Sequence, residues 1–196
     1  MTTQSASRPR AAIAPMDLAY IAVFAALLAA MSLTPAIPVA GLPAPITLQT
    51  LGVMLAGLCL GAWRGAAAVG LYLLVGLAGI PVFAGGAAGI APFVGPTGGY
   101  LVSFLISAFV IGLAASWIVR RADKLRFVWF VAACLVSRVV VIWPLGVFGM
   151  ARALGKPMST MWVADLAFWP GDVIKTVIAC LIAVAVHKAF PRLLGR

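Results

Sequence analysis

The stretch WVADLAFWPGDVIKTVIACLIAVAV, residues 162–186, is long and apolar enough to span a bilayer, yet it carries Asp172 and Lys175 in its interior. A run of about 20 apolar residues forms a transmembrane helix, because a rise of about 1.5 Å per residue then matches the roughly 30 Å hydrocarbon core. A charge at mid-bilayer costs about 2.5 to 3.5 kcal/mol on insertion scales, so the embedded pair marks a functional site, with each residue the other's candidate partner. Spaced by three, Asp172 and Lys175 share one helical face, with Trp169 one turn earlier. Pro170 has no N–H to donate and Gly171 weakens the helix further, so the helix breaks or starts afresh here. In membranes such interruptions are tolerated where they line a cavity.

The rest of the chain is equally apolar. Of 196 residues 64% are hydrophobic and 9% charged, and no charge occurs within residues 18–63 or 65–119. Spans are expected near 18–37, 48–63, 66–80, 98–119, 127–148 and 162–186, with the second and third short. The expected fold is therefore all-α: a polytopic membrane protein with a bundle of six transmembrane helices over residues 16–190 and short tails at 1–15 and 191–196, leaving no room for a soluble domain. The basic start followed by a long apolar run reads as an uncleaved first helix.

Charge placement orients the bundle. Arg8, Arg10, Arg64, Arg120, Arg121, Lys124, Arg126, Lys188, Arg192 and Arg196 fall in the tails and even-numbered loops, against Arg152 and Lys156 in an odd-numbered one. The positive-inside rule then makes both termini cytoplasmic. The net charge of +10 reflects topology and anionic lipid and calls for no nucleic-acid partner.

Catalytic chemistry has little to work with. His187 sits alone near the cytoplasmic end of the last span and reads as an interfacial residue. Cys59, Cys134 and Cys180 are isolated in apolar spans and behave as small core hydrophobes, with no metal site indicated. Of the four acids, Asp17, Asp123 and Asp165 sit at expected membrane borders, leaving Asp172 embedded. The segment Leu154, Gly155, Lys156, Pro157 looks like a phosphate loop but lacks its upstream glycine and has proline where magnesium needs a hydroxyl. No nucleophile with a base can be assembled, so the chain is not expected to be an enzyme, and any energy comes from a partner or an ion gradient.

A binding pocket remains. Arg138, counted from the start of the fifth span, reaches a depth similar to the sixth-span pair, so one acidic and two basic residues converge on one layer. Either they lock the fifth and sixth helices together, or they form a ligand site with one unmatched positive charge, Asp172 accepting and Lys175 or Arg138 donating. Thr47, Gln49 and Thr50 offer hydrogen bonds at the mouth, and the apolar, glycine-rich segment 79–100 is expected to fold inward. Phe83, Phe93, Tyr100 and Trp169 would supply walls. Two strips of small residues, Ala22, Ala26 and Ala30 in the first helix and Gly57, Gly61 and Gly65 in the second, permit close helix approach, either within the bundle or against a partner.

Four motifs together bear a resemblance. Segments 45–50 (PITLQT), 76–83 (GLAGIPVF) and 95–101 (GPTGGYL), and Pro170, Gly171, Asp172 with Lys175, occur in the order and at the positions that resemble the BioY family of biotin transport proteins. These are substrate-binding components of energy-coupling factor transporters in the bacterial cytoplasmic membrane. The resemblance implies a six-helix bundle that captures biotin, binds no cofactor itself, and works with a membrane coupling protein and two ATPase subunits that use ATP. It implies that Ala22, Ala26 and Ala30 face the coupling protein, that Asp172 and Lys175 contact biotin, and that Gly98, Gly99 and Tyr100 belong to the substrate site. The ureido group is assigned to Asp172 and Lys175, with the reverse orientation placing the tail carboxylate at Lys175. Residues 84–91 offer only backbone and apolar contacts. A component for another small vitamin, a membrane enzyme and an assembly protein are the rival functions.

Overall fold

The computed structural model describes residues 14–38, 44–121, 124–191 and 193–194. Arg8, Arg10, Asp123, Arg192 and Arg196, with most of the expected N-terminal tail and half of the C-terminal one, lie outside the described residues. The protein is an all-helical polytopic membrane protein. Its helices are α1 (Pro15–Ser32), α2 (Gln49–Leu60), α3 (Ala62–Leu77), α4 (Ala91–Val94), α5 (Gly98–Arg121), α6 (Arg126–Ser137), α7 (Trp143–Leu154), α8 (Met158–Asp165) and α9 (Trp169–Ala189). A π-helical turn, Arg138–Ile142, joins α6 to α7, and a 3-10 turn, Leu166–Phe168, joins α8 to α9.

Among the described residues, four helical runs are long and apolar enough to cross a membrane: Pro15–Ser32, Gly98–Arg121, Arg126–Leu154 and Met158–Ala189. The apolar helices α2 and α3 are shorter, as the second and third expected spans were. The last run begins at Met158 rather than 162, which moves Asp165 away from its border and into its interior. α5 packs against α2, α3, α6 and α7, α9 against α2 and α6, and α1 against α2 and α3.

Every residue of α2 is buried, as suits a helix apolar on all sides and enclosed by neighbours. Its 12 residues span only about 18 Å, well short of a bilayer core. Residues 44–48 lead into its first turn. An antiparallel bridge holds that approach: the Ile37 and Ile46 amides each donate to the other's carbonyl at 2.9 Å.

The glycine strip is internal packing. Gly61, with φ 80° and ψ −174°, lets α2 turn directly into α3 in a conformation essentially reserved for glycine. Gly57 lies against Ala108 and Ile111 of α5, and Gly65 against the Ala56 carbonyl. On the facing side, a Cβ at Gly112 would strike the backbone of Gly61 and Ala62. Because rigid backbone faces it, Gly112→Val is expected to cost about 3 kcal/mol, the upper end of ordinary overpacking. Thermal unfolding of the detergent-solubilised variant measures this, and an unshifted midpoint would mean that α5 does not cross so closely.

Arg64 at the start of α3 bonds to the Asp17 carboxylate at 3.3 Å and the Leu193 carbonyl at 2.6 Å. The start of α1, the α2–α3 turn and the chain's C-terminal end therefore meet at one end of the bundle. His187, in the last turn of α9, is buried, with Nε2 2.9 Å from the Leu58 carbonyl and its ring against Phe130. The last helix packs tightly on α2 even in its final turn. All three cysteines are buried and free, and Gly155 ends α7 in a left-handed cap.

Candidate ligand-binding site

The pocket lies at the end of the bundle opposite the Arg64 contacts, in the space that the short α2 leaves open. Arg138, Asp172, Lys175, Thr47, Gln49, Thr50 and Tyr100 belong to its polar lining. Ile46, Leu101, Phe104, Ile142 and Phe168 provide apolar walls. An apolar enclosure with few convergent polar groups is the usual form of a small-molecule site.

Local chain chemistry places the charges. Pro170 occupies the first turn of α9, where its missing N–H leaves no bond unmade, and the preceding 3-10 turn resolves the strain of continuing the helix. The helix thus starts afresh, as one of the two expected outcomes had it. Asp172 consequently sits in the first turn of a new helix, where the aligned peptide dipoles favour negative charge. Arg138 opens the π turn of the preceding run, a local widening often found at functional sites.

The floor is a chain of charge-assisted bonds. Asp172 Oδ1 pairs with Lys175 Nζ at 2.7 Å and accepts from Thr50 Oγ1 at 3.0 Å. Its Oδ2 accepts from Arg138 Nε at 2.7 Å. Lys175 also donates to Thr50 Oγ1 at 2.7 Å and to the Thr47 carbonyl at 3.0 Å. Arg138 Nη2 donates to Asp165 Oδ2 at 2.6 Å, and Tyr100 donates to Asp165 Oδ1 at 2.5 Å. The four charged residues are nearly enclosed, with Arg138 2%, Asp165 0%, Asp172 6% and Lys175 7% exposed. Buried charges persist when paired and hydrogen-bonded in this way.

This geometry corrects the expectation of one unmatched positive charge. Asp165, read from the sequence as a membrane-border residue, belongs to the floor, which therefore holds two carboxylates against one guanidinium and one ammonium. The interhelical lock is also present, since Arg138 reaches from its own run to Asp165 and Asp172 on the next. A signal for Asp165 existed: seven residues before Asp172, it recurs on nearly the same helical face. Thr50, expected at the mouth, is instead buried between Asp172 and Lys175.

Residues 2–192 match the BioY family. The chain belongs to the BioY family. Biotin transporter BioY of Rhizobium etli is 41% identical over 182 residues, covering 92% of this chain and 97% of the relative. The protein of the same name from Rhodobacter capsulatus is 39% identical over 185 residues, covering 89% and 95%. A crystal structure of the S-component for biotin from an ECF-type ABC transporter is similar with a TM-score of 0.83 at 31% identity, over 88% of this chain and 91% of that one. The family assignment makes this a multi-pass membrane transport component and not an enzyme.

Not every expected site residue of this BioY-family chain lines the pocket. Phe83 fills the notch at Gly76 and packs edge-on against Tyr72 at 5.4 Å and Phe93 at 5.6 Å, so its neighbour Ala84 reaches the pocket in its place. The glycine-rich segment is anchored by this ring, while Gly85, Gly86 and Ile90 remain exposed. Gly98 abuts the Phe93 carbonyl, and Gly99 abuts Leu145 and Gly149 of α7. They act one step back, drawing α5 against its neighbours so that Tyr100 meets Asp165. Trp169 likewise backs the site, its ring 5.5 Å from the Arg138 guanidinium carbon and 5.1 Å from Trp143. Gln49 donates to Tyr72 at 2.7 Å, and Tyr72 to Ser32 at 3.1 Å, a buried relay behind the mouth.

Proposed function

We propose that this chain captures biotin from outside the cell and delivers it across the cytoplasmic membrane as the substrate-binding component of an energy-coupling factor transporter. The observation that carries this is the electrically balanced, hydrogen-bonding floor beneath apolar walls. Biotin has complementary parts: an uncharged ureido group, an apolar thioether ring and an acidic tail. In this reading the ureido N–H groups approach Asp172, its carbonyl approaches Lys175, and the rings lie against Leu101, Phe104 and Phe168. The carboxylate stays toward the mouth near Thr47 and Gln49, because a second anion against a neutral floor would lack a partner. Arg138 carries a buried Nη1 without a hydrogen-bond partner among the described residues, a spare donor beside the ligand.

The bundle in this proposal has six membrane crossings with both termini cytoplasmic, the pocket opening outward. The expected alanine strip supports a docking role: Ala22, Ala26 and Ala30 are all exposed on α1, while Ala25 on the adjoining face is buried. Small residues at this spacing admit a closely approaching helix, here assigned to a membrane coupling protein. Two partner ATPase subunits would supply the energy, with ATP bound by them alone.

Titration of purified protein with labelled biotin tests the proposal. Saturable one-to-one binding in the nanomolar to micromolar range is expected, with little binding of vitamins that lack a ureido group. Absence of saturable binding by folded protein would overturn it.

A further inference from the structure

We propose that Asp165 sets the net charge of the pocket floor and thereby selects for an uncharged ligand group, acting as a positioning residue through Arg138 and Tyr100. The inference rests on the biotin-binding reading of the pocket. Asp165 is fully buried and is not itself part of the pocket lining. Its two bonds run to residues that are, Arg138 at 2.6 Å and Tyr100 at 2.5 Å. With Asp165 ionised, the floor sums to zero: Asp165 and Asp172 against Arg138 and Lys175. Without its charge, the floor carries one net positive charge beside the ligand although no lining side chain has changed.

Charge matters here because charge interactions in a weakly polarisable interior are stronger than in water and little screened by salt. Asp172 would then face two cations with no second carboxylate to share them. Its oxygens would be held more firmly by Arg138 Nε and Lys175 Nζ, leaving a poorer acceptor for a ligand N–H. The same excess charge would attract small anions into the pocket. Asp165 thus favours a neutral hydrogen-bonding group over an anionic one without touching either.

The test compares biotin affinity for the full-length wild type, Asp165→Asn and Asp165→Glu, each in chloride and in gluconate at equal ionic strength, with thermal unfolding to establish folding. Wild type is expected to bind equally in both salts. Asp165→Asn, the closer match in shape, is expected to bind at least about tenfold more weakly and to weaken further in chloride. Asp165→Glu, which keeps the charge, is expected to stay within about threefold of wild type with no chloride effect. A purely structural role would not produce the chloride dependence. Folded Asp165→Asn that binds like wild type in both salts overturns the proposal, as does a tenfold loss in folded Asp165→Glu. If Asp165→Asn does not fold, the wild-type comparison decides, equal affinity supporting a neutral floor and chloride competition excluding it. Wild type that binds no biotin in either salt counts instead against the biotin reading.

Discussion

Replacing Arg138 with methionine is expected to destabilise the folded protein by about 3 to 5 kcal/mol, the cost of removing one partner from a buried ion pair. The reason lies in its two bonds, Nε to Asp172 and Nη2 to Asp165, made from a side chain with 2% exposure. Methionine fills much of the space but deprives two carboxylates of the cation that bonds both. Asp172 would retain Lys175 and Thr50, and Asp165 would retain Tyr100 alone among the described residues. Lysine is expected to rescue poorly, because a single ammonium cannot reproduce a planar fork reaching two acids at once. Chemical or thermal unfolding in detergent, without ligand, measures the loss. A variant as stable as wild type would show that the interhelical lock contributes nothing to the fold.

Lys175→Ala has the other large expected effect, and it falls mainly on the ligand. Truncating one partner of a buried, hydrogen-bonded charge pair typically costs 2 kcal/mol or more of binding, so a loss of roughly 2 to 4 kcal/mol in biotin affinity is expected, about 30- to 900-fold. Lys175 lines the pocket, and its removal takes away a donor and leaves the floor with an excess carboxylate. Stability should fall less than for Arg138→Met, since Asp172 keeps its bonds to Arg138 and Thr50. Measuring unfolding and binding on both variants separates the two roles. Unchanged biotin affinity in folded Lys175→Ala would remove Lys175 from the site.

The embedded charges of the last span were legible because charge in an apolar run is conspicuous, and Pro170 marked where the new helix starts. Asp165 was missed because its position depends on where the run begins. Four residues before the expected start of the span, Met158 to Met161, extend the helix backward and turn a border residue into a buried one. Phe83 was expected as a wall of the pocket; that it plugs Gly76 instead depends on α3 lying beside the loop, which the sequence does not show. The two small-residue strips are alike on paper. Only packing separates Gly57, Gly61 and Gly65, closed against α5, Leu194 and α2, from Ala22, Ala26 and Ala30, left open on α1.

Composition and charge order alone establish that this chain is a helical membrane protein, and that Asp172, Lys175 and Arg138 sit within its apolar runs. Backbone hydrogen bonding in lipid forces helices, and the penalty on buried charge singles out those residues. Which helix faces turn inward, and hence the neutrality of the pocket floor, was decided only in three dimensions. The surroundings of a membrane bundle are as apolar as its interior, so the pattern of apolar residues that would separate core from surface in water carries little of that information here.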